Sequence, residues 1–379
     1  MRYRSLPKYS GLNLSVLGFG CMRLPIVGAD PGRIDEERAT ALVRAAIDRG
    51  VNYVDTAYPY HSGLSEAFVG RALRGGLRER VYVATKLPTW LVQAESDWER
   101  LLDEQLRRLE CGVIDFYLFH GLSAARWEIV QRLHGLAAFE RARADGRIRH
   151  IGFSFHDSPA TFTAIVDGYD WDFCQIQYNF LDEEYQAGTA GLRYAAAKRV
   201  GVIAMEPLRG GALGERGPEE VAAIWARAAE PRPPAEWALR WVWDHPEVVT
   251  ALSGMNTPEQ LAENLSAADR AAPLVMGAAD LALVGEVRDF FRSRMKIACT
   301  MCGYCLPCPN GVGIPDVFAA YNSSTMFNAR ETATAVYKHW VVAGGRGADR
   351  CLRCGECEPK CPQHLPIPDG LEEAHAHLS

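Results

Sequence analysis

Five polar residues in the first half of the chain follow short apolar runs. They are Asp55, Lys86, His120, Ser154 and Gln175. Carboxylate, amine and imidazole groups are the usual proton donors and acceptors of enzymes. If the apolar runs are neighbouring strands of a parallel sheet, the five side chains lie along one edge of it. The sequence therefore predicts a proton-transfer site at this edge.

Lys86 is one of only six lysines in a chain with 35 arginines, and two tyrosines, Tyr58 and Tyr60, follow Asp55 closely. A lysine between a carboxylate and a phenol keeps its positive charge and lowers the phenol pKa from about 10. We therefore expect a tyrosine that exchanges a proton near neutral pH, with His120 orienting a substrate oxygen. The alternative is an Asp55–Lys86 ion pair that only stabilises the fold.

Eight short runs rich in β-branched and aromatic residues predict the strands that would hold these side chains. The runs cover 16–20, 51–57, 81–87, 114–121, 150–155, 173–178, 202–207 and 248–254. Amphipathic stretches between them predict helices, including a single helix over 127–144. Eight strand–helix units favour a closed (β/α)8 TIM barrel. An open doubly wound sheet is the alternative, but no strand is followed by its G-x-G-x-x-G turn.

The chain changes character after the barrel pattern, where cysteine-rich sequence with Pro and Gly begins. We expect a barrel domain over 1–285 and a smaller, mostly helical, ferredoxin-like domain over 286–379.

Residues 10–268 resemble the aldo/keto reductases, a family of (β/α)8 oxidoreductases that use nicotinamide cofactors. By this resemblance, the catalytic residues are Asp55, Tyr60, Lys86 and His120. Tyr60 is preferred to Tyr58 because it lies five residues after Asp55, as in the family.

The resemblance also assigns cofactor-binding residues. Ser154 and Gln175 would bind the nicotinamide carboxamide, although the asparagine that follows the serine in the family is Phe155 here. The segment T-P-E-Q-L-A-E-N resembles the start of the adenine-binding helix, with Glu263 and Asn264 at matching positions.

Other positions depart from the family. Met205 stands where many members have a tyrosine that stacks on the nicotinamide, and Arg209 is a candidate contact to the pyrophosphate. Gly254 and Gln260 replace the basic residues that often bind the 2′-phosphate of NADP. Because a phosphate needs charged partners, these residues favour NAD(H) over NADP(H).

Eight of the eleven cysteines lie after residue 298, in the segments C-T-M-C-G-Y-C-L-P-C-P and C-L-R-C-G-E-C-E-P-K-C-P. The second has the C-x2-C-x2-C-x3-C-P spacing of bacterial ferredoxins, in which the fourth ligand comes from the other motif. We therefore expect two 4Fe–4S clusters, one held by Cys299, Cys302, Cys305 and Cys361 and the other by Cys351, Cys354, Cys357 and Cys308. Zinc is the alternative, but the third cysteine of each motif has no natural role in a zinc ribbon.

The composition excludes several classes of protein. A net charge of −6 is not typical of a nucleic-acid-binding protein. The first residues are polar, and no apolar run reaches the roughly 18 residues of a membrane helix. We therefore expect a cytoplasmic protein.

The resemblance implies an aldo/keto reductase-like oxidoreductase that acts on a carbonyl or alcohol substrate with a nicotinamide cofactor. The clusters carry one electron at a time, whereas a nicotinamide moves two together, so we expect a ferredoxin or flavoprotein as redox partner. Two alternatives remain open: a flavin-dependent oxidoreductase, and an electron-transfer protein whose barrel is only a docking scaffold.

Overall fold

The computed structural model describes residues 1–28, 30, 32–215, 217–299, 305–361 and 364–379. It forms two compact units, one of residues 1–214 and 235–276 and the other of residues 215–234 and 277–379. No helix within these described ranges is long and apolar enough to span a membrane.

The strands belong to the first unit. They are β1 (Tyr3–Leu6), β2 (Tyr9–Ser15), β3 (Leu17–Gly20), β4 (Tyr53–Asp55), β5 (Tyr82–Leu87), β6 (Ile114–Leu122), β7 (Ile148–Phe155), β8 (Phe173–Gln177), β9 (Gly201–Met205) and β10 (Val248–Ser253). Within the described residues, β3 to β10 form a closed barrel in chain order, and β10 pairs with β3. Neighbouring barrel strands are parallel. The predicted barrel is confirmed.

The helices that the structure describes are α1 (Glu36–Asp48), α2 (Ser65–Ala72), α3 (Ser96–Arg108), α4 (Ala124–Arg132), α5 (Gly135–Ala144), α6 (Pro159–Asp167), α7 (Gly188–Ala197), α8 (Glu219–Trp225), α9 (Pro234–Asp244), α10 (Pro258–Asp269), α11 (Ala278–Ser293), α12 (Ile314–Met326), α13 (Arg330–Val336) and α14 (Ile367–Leu378). The prediction of one helix over 127–144 is wrong. His134 adopts a left-handed φ of 51° and separates α4 from α5. Gly135 then packs so closely on Trp98 that a Cβ would lie 2.9 Å from the indole ring.

The antiparallel hairpin β1–β2 was not predicted, and it covers the amino-terminal end of the barrel strands. Leu6 and Leu14 are fully buried in one apolar cluster with barrel residues such as Tyr53 and Phe173. Leu6 lies where a Cβ on Gly201, the first residue of β9, would be 2.4 Å away. The amino-terminal end of the barrel is therefore filled by apolar side chains, and polar chemistry is left to the opposite end.

The regular elements that the structure describes in the second unit are helical and include α8 and α11 to α14. Its apolar core is built mainly from α12 and α14, together with Tyr337 and Val341 of a π-helical turn at Tyr337–Val342. Cys305 and Cys361 are buried in this core, and Cys299, Cys308, Cys351 and Cys357 pack against it. The core thus brings the two cysteine segments together.

Candidate active site

The five predicted polar residues lie at the carboxyl ends of five consecutive barrel strands. Asp55 ends β4, and Lys86, His120, Ser154 and Gln175 lie within the last three residues of β5 to β8. His120 is half-buried and the other four are buried. Because the strands are parallel, these side chains share one rim of the barrel, as the sequence predicts.

Lys86 contacts two of the other predicted catalytic residues, Asp55 and Tyr60. Its Nζ lies 2.6 Å from Oδ1 of Asp55 and donates to the carbonyl oxygen of Thr56 at 2.8 Å. It also lies 3.2 Å from the hydroxyl of Tyr60. The ammonium is almost fully buried, so each of these contacts replaces a hydrogen bond to water.

In the structure Tyr60 lies beside Lys86, whereas Tyr58 contacts α3. Tyr60 begins a 3-10 turn, Tyr60–Gly63, in which His61 has a left-handed φ of 53°. Nε2 of His61 accepts a hydrogen bond from the backbone N–H of Leu24 at 3.1 Å and so fixes this turn. The hydroxyl of Tyr58 instead donates to Glu104 on α3 at 3.2 Å.

The electrostatics of the site differ from the prediction at Tyr60. Burial raises the pKa of Tyr60 above its ordinary value, although Lys86 acts to lower it. The expectation of a lowered phenol pKa is therefore wrong, because loss of solvation outweighs the nearby ammonium. Burial disfavours the charge of Lys86, but Asp55 and Tyr60 raise its pKa above the ordinary value. The site thus holds a protonated phenol beside an ammonium.

His120 completes the group. Its ring centroid lies 6.2 Å from that of Tyr60, in an edge-to-face arrangement. Burial, with Lys86 adding a positive charge nearby, holds the pKa of His120 well below its usual range, so the imidazole is neutral. Its Nδ1 is buried without a hydrogen-bond partner among the described residues. A neutral imidazole with a free nitrogen is suited to contact a bound oxygen.

The residues predicted to bind the nicotinamide lie beside this group. Oε1 of Gln175 is buried and has no hydrogen-bond partner in the described part of the chain. Ser154 accepts a hydrogen bond from the backbone N–H of Gly121 at 2.7 Å. Met205, half-buried at the end of β9, packs against the apolar core of the barrel. An unsatisfied amide oxygen at the rim fits the NH2 group of a carboxamide.

The residues predicted to bind the adenine and pyrophosphate parts of the cofactor differ in whether their polar atoms already have partners. Glu263 has a buried Oε1 without a partner among the described residues. Asn264 donates to Ser253 at 2.9 Å and so ties α10 to the end of β10. Arg209 forms an ion pair with Asp182 at 3.4 Å, so its charge is already partly compensated.

The described cysteines of the second unit lie around one cavity and one apolar core. The cavity is lined by Cys305, Cys308, Cys351, Cys354 and Cys357. The apolar core contains Cys305 and Cys361, and Cys299, Cys308, Cys351 and Cys357 pack against it. Cys302 lies outside the described residues. Thiols from both segments thus line one cavity, and cysteine thiolates are the usual ligands of iron–sulfur clusters.

Residues 16–275 match the model of the aldo/keto reductase family. The chain belongs to this family. Residues 298–365 match the 4Fe-4S dicluster domain, which supports iron–sulfur clusters over the zinc alternative. The protein is thus an aldo/keto reductase-type oxidoreductase with an iron–sulfur domain.

The relatives match about three quarters of the chain. L-galactose dehydrogenase of Arabidopsis thaliana is 28% identical over 300 residues, which are 74% of this chain and 92% of the relative. An aldo-keto reductase of Bacillus halodurans, solved in its holo form, is 26% identical with a TM-score of 0.61 and covers 76% of this chain and 96% of its own. An aldo-keto reductase of Klebsiella pneumoniae, solved with NADPH, is 25% identical with a TM-score of 0.62, at coverages of 76% and 96%.

Sequence reasoning missed several residues around the site. Glu66, Thr85 and Gln105 form a buried network behind Lys86, in which Gln105 donates to the Lys86 carbonyl oxygen at 3.1 Å. The signal was weak, because Glu66 and Gln105 lie on helices whose polar residues are ordinarily exposed.

A second missed feature lies near Gly254. Arg23 forms an ion pair with Glu206 at 2.8 Å, and its Cβ lies 3.2 Å from where a Cβ on Gly254 would be. Arg23 follows the first barrel strand, far in sequence from the predicted 2′-phosphate region. Only the closure of the barrel makes them neighbours.

Proposed function

We propose that this protein interconverts a carbonyl compound and its alcohol at the barrel rim, with Tyr60 exchanging the proton. The observation that carries the proposal is the arrangement of Lys86, which contacts Asp55 at 2.6 Å and Tyr60 at 3.2 Å in a buried site. His120 stands beside it with an unsatisfied nitrogen.

A nicotinamide cofactor, when bound, supplies the hydride for reduction or accepts it in oxidation. Gln175 and Ser154 are the residues that would hold its carboxamide, since Oε1 of Gln175 lacks a partner among the described residues. Met205 would provide an apolar contact in place of an aromatic ring. The NADPH in the structure of the Klebsiella relative supports this class of cofactor.

Tyr60 donates its proton to the carbonyl oxygen in the direction of reduction, while the carbonyl carbon gains the hydride. Lys86 stabilises the phenolate that remains, and Asp55 keeps Lys86 charged. The raised pKa of Tyr60 keeps the phenol in the protonated form from which it can donate its proton. Neutral His120 holds the substrate oxygen near the phenol.

The cofactor preference we propose is NAD(H). Gly254 offers no side chain to a 2′-phosphate, and Oε1 of Gln260 accepts a hydrogen bond from the backbone N–H of Asn256 at 3.0 Å. Arg23 is the cation beside Gly254, but its charge is compensated by Glu206. A phosphate with about two negative charges would compete with this carboxylate.

The domain with the eight cysteines would hold two 4Fe–4S clusters. Cys305 and Cys308 of the first segment line the same cavity as Cys351, Cys354 and Cys357, so thiols of both segments are close enough to share clusters. The spacing of the motifs assigns Cys351, Cys354, Cys357 and Cys308 to one cluster, and Cys299, Cys302, Cys305 and Cys361 to the other. The clusters, when bound, carry single electrons, and we propose a ferredoxin or a flavoprotein as their external partner.

The experiment is anaerobic purification, followed by analysis of iron, sulfide and bound cofactor, and then by titration with NADH and NADPH. We expect about eight irons per chain, turnover of a carbonyl with a nicotinamide, and tighter binding of NADH. Tighter binding of NADPH would contradict the proposed preference. A bound flavin with no response to either nicotinamide would contradict the hydride mechanism.

A further inference from the structure

Arg126 is a cation at the barrel rim that has no carboxylate partner in the described part of the chain. It lies in the first turn of α4, directly after the strand that carries His120, and is half-buried. Its Nη1 donates to the carbonyl oxygen of Gly121 at 2.7 Å. Among the residues that the structure describes, no carboxylate forms an ion pair with it. Burial alone lowers the pKa of Arg126.

The guanidinium belongs to the same rim as the proton-transfer group. It lies over the ring of Trp90, 5.1 Å from the centroid. The Trp90 ring in turn lies 5.0 Å from the ring of His120. The positive charge of Arg126 also acts to lower the pKa values of His120 and His156. Arg126 is therefore close enough to influence a substrate bound at His120.

The backbone conformation at Gly121 fixes the position of the Arg126 guanidinium. Gly121 has a left-handed φ of 61°, and a Cβ there would lie 2.6 Å from Nη1 of Arg126. The N–H of Gly121 donates a hydrogen bond to Ser154, so Gly121 is held from both sides. Glycine adopts this left-handed backbone conformation readily and, because it has no Cβ, leaves room for the guanidinium.

Two neighbouring cations of the rim are paired within the described residues, Lys86 with Asp55 and Arg23 with Glu206. Arg126 has no such carboxylate partner there, so its charge is available to a ligand. A guanidinium presents several N–H donors in one plane, a geometry that matches a carboxylate.

We propose that Arg126 binds a carboxylate of the substrate, so that the substrate class is carbonyl compounds that carry an acid group, or the corresponding hydroxy acids. The inference rests on the proposed function for its chemistry. The Trp90 side chain, 40% exposed, supplies the apolar surface between the carboxylate and the reacting carbonyl.

The turnover test compares 4-formylbenzoate with its uncharged methyl ester in the cluster-loaded full-length protein. A charge-assisted hydrogen bond contributes about 1.5–3 kcal/mol, so we expect Arg126→Met to lower kcat/KM for the acid roughly 10- to 100-fold. The ester should be unaffected, and Arg126→Lys should recover part of the preference. Arg132→Met, an exposed residue at the end of the same helix, is the matched control.

A binding test separates this inference from the proposed function. Calorimetric titration with benzoate and with benzamide needs no turnover. Benzoate that binds the wild type and not Arg126→Met supports the inference even if no carbonyl is reduced. Three results overturn it: equal binding of benzoate and benzamide, an equal loss of kcat/KM for acid and ester, or a weakened Kd for the nicotinamide cofactor in Arg126→Met.

Discussion

Replacing Tyr60 by Phe removes one oxygen atom from the barrel rim and leaves the ring in place. Lys86 loses its contact at 3.2 Å and keeps those to Asp55 and the Thr56 carbonyl. Because two of three contacts survive, the free energy of unfolding should fall by about 1 kcal/mol or less. Loss of the proton donor should lower kcat by about 10²- to 10⁴-fold.

The assay is single-turnover reduction of a carbonyl substrate as a function of pH. Burial raises the pKa of Tyr60 and lowers that of His120. Tyr60 then stays protonated, and His120 neutral, across the neutral range. The wild-type reduction rate should be level between about pH 6 and 9 and fall only above the ordinary tyrosine pKa of about 10.

Tyr58→Phe is the control, because the Tyr58 hydroxyl donates to Glu104 and the Tyr58 ring lies under the guanidinium of Arg108. It should leave kcat unchanged, and cofactor affinity and the cluster spectrum should be unchanged in both variants. Full activity in Tyr60→Phe would refute the assignment of the proton donor. A rate that titrates near pH 6.5 would refute the neutral state of His120.

Two further predictions concern the buried ion pair and the cluster ligands. Lys86→Met leaves the buried carboxylate of Asp55 unpaired and should lower the free energy of unfolding by about 3–5 kcal/mol in denaturant titrations. If adding Asp55→Asn to Lys86→Met restores none of this stability, the unpaired carboxylate is not the cause of the loss. Cys308→Ser should remove about half of the iron, and adding Cys354→Ser should remove no more, whereas adding Cys361→Ser should remove the rest. Equal additional losses in the two double variants would rule out the exchange of fourth ligands between the motifs.

The sequence was sufficient for the parts of the fold that depend on local pattern. Alternation of apolar strands and amphipathic helices predicts the barrel, because each unit must bury one face against the next. The polar residues Asp55, Lys86 and His120 were recognisable because each lies within the last three residues of such a strand. The break at His134 was not, because it depends on Gly135 packing against Trp98, which is distant in sequence.

The sequence by itself determined which groups gather at the rim and how the cysteines are spaced. The tertiary structure decided what those groups do, since solvation and contacts depend on residues far apart in the chain. It placed Tyr60 rather than Tyr58 beside Lys86, and it showed that burial raises the Tyr60 pKa where charge alone predicts the reverse. It also brought Arg126 next to Trp90 without a carboxylate partner among the described residues. The charge of a side chain follows from the sequence, but whether an opposite charge lies next to it depends on how the chain folds.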